Sequence, residues 1–536
     1  MKPRQVLVIA ALVAALAFVF ADQAPDAGFR AGHRGWVSSH TLAIAQNATP
    51  ATGFVGYAAS LRTRDGRELY YFDRYPVFFS IALHAAMHAA GPGSAARILA
   101  SRQLMNAVYV LIVLAAVGLL VELGLPVEAA VAAAALAASS FTMVEYRDMV
   151  HFDQPALLGS VLLLWSIART ETGRAGAAAP LLATVFAVSA GRGYASLVTL
   201  ALWSACALVR AIARRRRANE AAPSLAIPFA CLACGAALSA ALLTYNVATE
   251  ARLRDVPWSQ TSILSSARKR LALDQGFNQS KEQRLEWPHF LEVQATNLAN
   301  TTVPWSWCVE LRRNGEATAI VAASMIAIVL AFVVSRSAAT RVAWLVTAAS
   351  GALWLLMMRN LSAFHPYTAM FLFPLCLVAC APILSRVPRV AGVALAVAAC
   401  ALLVACTRER NDELRAGSGR LLAESSDMDE IAWFLEPAEP VAAERRLLRG
   451  VPFALAFYLP GHDIQAGGKT SMMLVRKKDC RGRNLTPANT TIVVCRLAAP
   501  ARARSSLARH IPGLAAPAAQ RNPRARPALV SPTGHP

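Results

Sequence analysis

The sequence has few charged residues, and few of these are acidic. Charged residues make up 16% of the 536, and 32 acidic residues stand against 53 basic ones, whereas soluble domains carry about a quarter charged residues. The hydrophobic fraction of 56% lies in long uninterrupted blocks, which excludes a disordered chain and an ordinary soluble enzyme. A net charge of +21 is typical of nucleic-acid binding. The basic residues are scattered between apolar blocks, however, so we expect no nucleic-acid partner.

The apolar blocks are long enough to cross a lipid bilayer. About 17–25 predominantly apolar residues are needed for a transmembrane helix. By this measure the sequence predicts eleven spans, at residues 5–21, 104–122, 127–143, 154–169, 178–193, 194–212, 226–246, 318–334, 341–358, 367–385 and 389–406. The fold class that we expect is therefore an all-α polytopic membrane protein.

The segment 75–92 is also apolar, but it contains two histidines and is barely long enough to cross. We expect it to lie in the membrane interface as an amphipathic helix. Thirteen lysines and arginines then fall in cytoplasmic loops, as the positive-inside rule requires, whereas a crossing segment would place Arg214–Arg217 outside. This arrangement predicts a cytoplasmic N-terminus and an extracytoplasmic C-terminus.

The predicted topology divides the chain into three parts. Residues 1–406 form the transmembrane domain, with a long first outer loop at 22–103 and another outer loop at 247–317. Residues 407–500 predict a small extracytoplasmic α/β domain with one helix and three strands, at 427–435, 452–459, 471–475 and 491–495. Residues 501–536 are rich in proline, alanine and arginine, which predicts a disordered basic tail.

Seven of the ten cysteines lie in predicted spans or at their edges. Cys231 and Cys234 have the spacing of a redox or metal pair, but their place in an apolar helix without a nearby histidine indicates packing. Cys480 and Cys495 lie in the extracytoplasmic domain, where oxidation is allowed. We expect a disulfide between these two residues.

Ionisable residues at a membrane are costly and usually functional, and nearly all of them collect on the predicted outer face. The first loop carries the run AGHRGWVSSHTLAIAQNA, and the second outer loop reads VEYRDMVHFDQPALL. The candidate residues from these and later outer segments are Asp26, His33, Arg34, Asp73, Arg74, Asp148, Asp153, Arg192, Tyr194, His365 and Tyr367. Such a set combines groups for proton transfer, arginines for a phosphate and aromatic rings that suit a sugar or an isoprenoid chain.

These residues also have structural interpretations. Arg34 and Arg74 are suited to anchoring lipid headgroups, and Tyr70–Phe72 to an aromatic belt at the interface. Asp73 is adjacent to Arg74 and is placed for a local ion pair of little energetic worth. Asp153 precedes Pro155 by two residues and is suited to starting a helix. The functional interpretation is favoured because all of these groups converge on one face.

The order of these motifs resembles that of the large integral-membrane glycosyltransferases of the GT-C fold, of the protein O-mannosyltransferase and lipid A aminoarabinose transferase type. The resemblance covers roughly residues 5–400 and rests on short motifs. The matching pieces are GHRGWVSSHTLAIAQN, Tyr71-Phe72-Asp73-Arg74-Tyr75-Pro76, Asp153 with Pro155, Arg192-Gly193-Tyr194, and His365, Tyr367 and Pro374. The sequence departs from the family in the first loop, where His33-Arg34-Gly35-Trp36 replaces a pair of acidic residues.

The resemblance implies an inverting transfer of a sugar from a polyprenyl-phosphate donor to a hydroxyl acceptor. The candidates for accepting the hydroxyl proton are Asp26, His33 and Asp153. Arg74 and Arg192 are expected to hold the charge of the leaving phosphate. The remaining candidates line the donor site, at Tyr194, His365 and Tyr367, or the cavity around it, at Arg34, Asp73 and Asp148.

The expected partners are a polyprenyl-phosphate-linked sugar, membrane lipids and a hydroxyl acceptor on a protein, a lipid or a cell-envelope glycan. No cofactor is required: His84 and His88 have the spacing of metal ligands, but no third ligand is near, so we expect no metal site. The expected location is the cytoplasmic membrane, and the excess of arginine over lysine favours a bacterial source.

Two other functional classes stay open from the sequence. The first is a transporter or flippase of a lipid-linked substrate, against which the one-sided charges and the lack of an internal repeat argue. The second is a non-catalytic membrane protein whose outer domain binds a ligand.

Overall fold

The computed structural model of the protein describes residues 2–22, 28–30, 33–59, 69–72, 74–191, 193–215, 225–261, 263, 287–304, 338–358, 362, 365–416, 418–435, 441–443, 452–459, 464–466, 472–480, 483–484, 490 and 492–496. The helices of the membrane part are α1 (Pro3–Ala21), α2 (His33–Gln46), α3 (Phe78–Ala89), α4 (Ser94–Glu122), α5 (Val127–Ala138), α6 (Phe141–Tyr146), α7 (Asp153–Glu171), α8 (Ala178–Ser189), α9 (Tyr194–Arg215), α10 (Ala226–Arg254), α11 (Trp287–Thr302), α12 (Ala338–Met357), α13 (Phe373–Leu384) and α14 (Arg389–Arg415). A 3₁₀-helix at Pro366–Leu372 leads into α13.

Five of the described helices, α1, α4, α9, α10 and α14, are long and apolar enough to cross a membrane. Helices α7, α8, α12 and α13 cover further predicted spans, while the predicted span 318–334 lies outside the described residues. Several helices extend beyond their apolar parts: α4 begins at Ser94 and α14 ends at Arg415. These extensions carry polar residues to one end of the helix bundle.

The predicted span 127–143 is wrong at its C-terminal end, because α5 stops at Ala138 and the short helix α6 follows. Ser140 forms a β-bridge with Pro304, and the Phe141 N–H donates to the Val303 carbonyl at 3.0 Å. Backbone groups released from the helix are therefore satisfied by the chain that follows α11. Ser139 and Ser140 stand at the break, and this polar pair was an available signal within an otherwise apolar block.

The first loop contributes two helices and a small sheet. Strands β1 (Gly56–Ala59) and β2 (Leu69–Phe72) pair antiparallel, with Tyr57 opposite Tyr71. Helix α3 lies within the predicted segment 75–92 and buries Phe79, Leu83 and Met87 on one face. It has 12 residues, fewer than the roughly 20 that a helix needs to cross a bilayer by itself, and its place in the membrane interface stays a prediction.

The C-terminal domain is a mixed sheet with two helices. Helix α15 spans Ser418–Phe434 and α16 spans Pro452–Tyr458. The strands are β3 (Val441–Ala443), β4 (Ile464–Ala466), β5 (Met472–Arg476), β6 (Arg483–Asn484) and β7 (Ile492–Arg496), in the sheet order β4-β3-β5-β7-β6. A disulfide joins Cys480 to Cys495. Strand β3 is parallel to β4 and β5, and β7 is antiparallel to both of its neighbours.

The predicted strand at 452–459 is wrong, because this run forms α16. Every residue from Pro452 to Tyr458 is apolar or aromatic, so the run has no period that distinguishes a strand from a helix. In the structure α16 packs on α2, and Phe457 and Tyr458 contact the Phe29 ring with centroids 5.4 and 5.6 Å apart. The C-terminal domain thus lies directly against the first loop.

A second contact fixes the same domain to the membrane helices. The Asp429 carboxylate of α15 accepts from the Ser94 N–H at 2.9 Å and from the Ser94 hydroxyl at 2.5 Å. Ser94 is the first residue of α4, whose N-terminal N–H groups have no partner within the helix. Asp429 therefore caps α4 from the C-terminal domain.

Candidate active site

The segment between α6 and α7 is fixed by side-chain hydrogen bonds. The Gln154 amide donates to the carbonyls of Tyr146 and Arg147, at 2.8 and 2.6 Å. The Val150 N–H donates to the Ser38 hydroxyl of α2 at 3.3 Å. These hydrogen bonds connect the start of α7 with the end of α6 and attach the segment between them to the first loop. Its charged residues contribute to two separate clusters.

The first cluster surrounds Asp148 with buried arginines. Its carboxylate lies 2.5 Å from Arg34 Nη2, 2.8 Å from Arg410 Nη2 and 3.7 Å from Arg102 Nη1. Burial alone would raise the pKa of the Asp148 carboxyl, but the charges of these arginines and of Arg147 hold the pKa well below its usual range. We call these five residues the arginine cage.

The arginine cage connects distant parts of the chain. Arg147 Nη2 donates to the Asn411 side-chain oxygen at 2.8 Å and to the Asp22 carbonyl at 3.1 Å. Arg102 Nη2 donates to the Gly28 carbonyl at 3.0 Å. The cage therefore joins the end of α1, the first loop, α4, the α6–α7 segment and α14. Burial, followed by the Arg410 charge, lowers the pKa of the Arg147 guanidinium to about 10, which leaves it charged at neutral pH.

The second cluster lies around His151. Its Nδ1 is 2.9 Å from Asp153 Oδ2, and its Nε2 is 3.5 Å from the Tyr367 hydroxyl. The rings of His151 and Tyr367 meet edge to face at 4.6 Å, and the His365 ring lies 5.4 Å from that of Tyr367. We call these four residues, together with His40, the histidine–tyrosine cluster.

His40 reaches the histidine–tyrosine cluster from α2, where its ring stacks on Trp36 with centroids 5.5 Å apart. Burial lowers the pKa of His40 to about 3, and the charges of Arg74 and His151 act in the same direction. His40 is therefore neutral at physiological pH. Tyr75, the residue after Arg74, packs its ring 5.0 Å from that of Phe152, which stands between His151 and Asp153, so the chain at Arg74 runs beside this cluster.

The backbone of Arg74 is held by two membrane helices. The Tyr194 hydroxyl of α9 donates to the Arg74 carbonyl at 2.9 Å, and the Asn246 amide of α10 donates to the Tyr75 carbonyl at 2.7 Å. The Tyr75 ring packs 5.0 Å from that of Phe152. Arg74 itself is half-buried, and these two hydrogen bonds fix the backbone at residues 74 and 75. This combination suits binding of an anionic ligand.

The turn before α9 packs on the start of α7. Gly191 has φ +54°, and a Cβ added there would lie 2.0 Å from the Phe152 carbonyl oxygen. Only glycine fits a left-handed backbone at such a close approach. The turn at Gly191 is therefore held against the residue that precedes Asp153.

We expect Gly191→Ala to lower the free energy of unfolding and to displace this turn. The left-handed conformation alone costs of order 1–3 kcal/mol for a residue with a Cβ, and the collision with Phe152 adds to it. The matched control is Gly124→Ala, because Gly124 has φ +95° but open space around its Cβ position. Thermal melting of the purified variants measures the difference, and equal melting of the two would contradict a tightly packed turn.

His40 also predicts a pH dependence of stability. Between a pKa of about 3 in the folded protein and 6.5 in the unfolded chain, only the unfolded chain binds the proton. The free energy of unfolding therefore falls as the pH decreases through this range, by at most about 1.4 kcal/mol per pH unit. We expect His40→Gln to flatten this slope in melting curves recorded between pH 7.5 and 4.5. A slope equal to that of the wild type would contradict the buried neutral state.

Several candidate residues from the sequence are brought together. Arg34 and Asp148 form an ion pair inside the arginine cage. Asp153, His365 and Tyr367 belong to the histidine–tyrosine cluster, and Tyr194 contacts the Arg74 backbone beside it. Asp26, Asp73 and Arg192 lie outside the described residues, and of His33 the structure describes the backbone at the start of α2.

Sequence reasoning did not select five residues that the structure places in these clusters, namely His40, Arg102, Arg147, His151 and Arg410. His151 stands two residues before Asp153, and an acid–histidine spacing of this kind was an available signal. Arg102 and Arg410 lie outside the predicted spans, so their burial appears only when the helices are seen to extend further. Among the described residues no group of three His, Cys, Asp or Glu side chains is placed to hold a metal ion.

The arrangement of helices defines the class of this protein. It is a multi-pass membrane protein with a GT-C-like fold, as the motif order predicted. The fold is similar to that of ArnT from Cupriavidus metallidurans bound to undecaprenyl phosphate, with a TM-score of 0.53 and 12% sequence identity, over 87% of this chain and 85% of that chain.

The apo state of the same ArnT is similar at a TM-score of 0.41 and 14% identity, over 91% of this chain and 97% of that chain. No protein-family model matches the sequence, and a search of curated proteins finds no significant match. The similarity to ArnT therefore lies in the fold.

Proposed function

We propose that this protein is a membrane glycosyltransferase that moves a sugar from a polyprenyl-phosphate donor to a hydroxyl acceptor. The observation that carries the proposal is the position of Arg74 beside the histidine–tyrosine cluster: the ring of the next residue, Tyr75, packs 5.0 Å from that of Phe152, between His151 and Asp153. An arginine binds a phosphate through paired hydrogen bonds, and a histidine–carboxylate pair accepts a proton near neutral pH. These are the two requirements for breaking a sugar–phosphate bond by attack of a hydroxyl.

The donor phosphate is assigned to Arg74, with Arg192 as a second ligand from the sequence prediction. The fixed backbone of Arg74 supports this assignment, because a preorganised cation stabilises the charge that develops on the leaving phosphate. Tyr194, His365 and Tyr367 are assigned to the donor site, and Asp26, His33 and Asp153 remain the candidate acidic and basic groups from the sequence. The likeness of the fold to an ArnT bound to undecaprenyl phosphate supports a lipid of the same class.

The arginine cage has a different part in the proposal. Arg34 and Asp148 were candidates for the cavity, but they neutralise each other in a buried pair. We assign the cage to holding the first loop, the α6–α7 segment and α14 together, and not to binding the donor. The reaction site is thereby placed on a rigid support.

We further propose that the site faces the outside of the cytoplasmic membrane of a bacterium, with the N-terminus inside and the C-terminal domain outside. The distribution of lysine and arginine between the loops supports this orientation. Reporter fusions after Arg217 and after Arg496 test it, and we expect activity of a cytoplasmic reporter at the first position only.

The function is tested with the purified protein in lipid nanodiscs and a panel of polyprenyl-phosphate sugars. We expect release of free polyprenyl phosphate together with a sugar on the added hydroxyl acceptor, followed by mass spectrometry. A transporter or flippase would instead move the intact donor across sealed vesicles without cleaving it. Intact donor with every sugar and acceptor would contradict the proposed function.

A further inference from the structure

The two nitrogens of His151 have different surroundings. Nδ1 lies 2.9 Å from the Asp153 carboxylate oxygen and also 3.3 Å from the Asp153 backbone N–H. The two contacts require opposite states of Nδ1, because a carboxylate accepts a proton whereas an N–H donates one. The tautomer of His151 therefore decides the chemistry of the site.

The carboxylate contact determines the tautomer. It is the shorter of the two contacts, and an ionised carboxylate attracts an N–H more strongly than a backbone N–H attracts a neutral imidazole nitrogen. A lone pair on Nδ1 at 2.9 Å from a carboxylate oxygen would be repelled, so Nδ1 carries the proton. In the neutral imidazole the lone pair is then on Nε2, which faces the Tyr367 hydroxyl at 3.5 Å.

Asp153 and His151 differ in how much of their surface is exposed, and this difference assigns them different roles. Asp153 has no exposed surface, whereas His151 retains 6% of its surface. A bound acceptor hydroxyl can therefore reach His151 and is kept from Asp153. The separation of 3.5 Å from Tyr367 is long for a strong hydrogen bond, and such contacts shorten only when a substrate is bound.

We propose that His151 is the catalytic base of the transfer and that Asp153 is its positioning residue. The inference rests on the proposed function and names the group that takes the proton. The acceptor oxygen forms a bond to the anomeric carbon while its hydroxyl proton passes to Nε2 of His151. The bond from that carbon to the phosphate oxygen breaks, and its electron pair leaves with the polyprenyl phosphate.

The charged and titratable groups around His151 favour this step. Asp153 stabilises the imidazolium that forms, and the proton is afterwards lost to water. His40 faces His151 from α2 and is neutral, so it does not compete for the proton in the working range. Tyr367 faces it from the 3₁₀-helix, with the His365 ring beside that of Tyr367, and the charge of Arg74 acts on His40.

The test is the pH dependence of donor turnover by the full-length protein in nanodiscs. We expect His151→Gln to lower kcat by about 10²–10⁴-fold, the range for general base catalysis. We expect added imidazole to restore part of the rate in His151→Ala. Asp153→Asn removes the carboxylate that stabilises the protonated imidazole, so the acid limb of kcat should move to lower pH. The matched control is His289→Gln on α11, because His289 has a half-exposed side chain in a surface pair with Glu292.

Each outcome has one meaning. A wild-type protein without donor turnover would overturn the proposed function and this inference with it. Turnover by the wild type together with an unchanged kcat in His151→Gln would overturn the base assignment and leave the function standing. If Asp153→Asn melts at the wild-type temperature and the acid limb of its kcat profile does not move, the assignment of Asp153 as a positioning residue is overturned. Restoration by imidazole would exclude a purely structural reason for the loss in His151→Ala.

Discussion

Replacement of Asp148 by asparagine is expected to be the most destabilising single substitution in this protein. Asp148 is 3% exposed, and its carboxylate contacts Arg34 and Arg410 directly. Removing the charge from one side of a buried pair leaves the other side unpaired, which costs about 3–5 kcal/mol. Several guanidiniums depend on this single carboxylate, so we expect a protein that melts far below the wild type or is lost during purification.

The matched control is Asp412→Asn. Asp412 pairs with Arg415, but its side chain is 57% exposed, so the same chemical change should leave melting close to that of the wild type. Melting in detergent, followed by size-exclusion chromatography, measures both variants. If Asp148→Asn fails to fold, the double variant Asp148→Asn with Arg34→Gln should recover folded protein, because it removes one unpaired charge. Equal melting of Asp148→Asn and Asp412→Asn would contradict the arginine cage.

The direction of the Asp148 pKa shift determines the pH range in which the arginine cage contributes stability. The pKa of the Asp148 carboxyl is held well below its ordinary value of 3.8 by the surrounding arginines. A carboxyl with a depressed pKa contributes stability that is fully present above the unfolded value and is lost as the pH falls through the folded value. The cage is therefore intact at neutral pH, and the first loss of stability on acidification comes from His40.

Arg74→Ala is expected to produce the largest loss of lipid-phosphate binding. A hydrogen bond to a charged group contributes about 1.5–3 kcal/mol, which corresponds to roughly 10–150-fold in affinity. The backbone of residue 74 is held by Tyr194 and Asn246 independently of its side chain, so the variant should fold. Titration of polyprenyl phosphate onto the protein in nanodiscs measures the change. Arg74→Lys should keep part of the affinity, because lysine keeps the charge but loses the paired hydrogen bonds.

The transmembrane architecture was largely predictable because apolar length carries the information. Helices α1, α4, α7 and α9 follow the predicted blocks, and the GT-C-like fold is confirmed. The break after Ala138 was missed because a length criterion averages over the polar pair Ser139-Ser140, and because the partner backbone at Val303 is distant in the sequence. The helical state of 452–459 was missed for a different reason, since a uniformly apolar run has no period.

The candidate site was predictable only in part. Asp153, Tyr367 and Arg74 were selected from short motifs, and the histidine–tyrosine cluster contains the first two. The contact between His151 and Tyr367 joins residues that are 216 positions apart in the sequence, so no local sequence pattern predicts it. Arg34 was a candidate for the cavity around the donor site from its position in the first loop, but its ion pair with Asp148 is a contact across 114 positions. Local sequence gives the residue types, and the fold decides which of them are paired.

The measurement that tests the central claim most directly is the release of polyprenyl phosphate by three purified proteins assayed side by side: the wild type, Arg74→Ala and Arg408→Ala. Arg408 lies on α14 with a side chain that is 72% exposed, which makes it a matched control. We expect the wild type and Arg408→Ala to release one polyprenyl phosphate for each sugar transferred, and Arg74→Ala to leave the donor intact. Equal release by Arg74→Ala, or intact donor in all three, would contradict a transferase site at Arg74 and the histidine–tyrosine cluster.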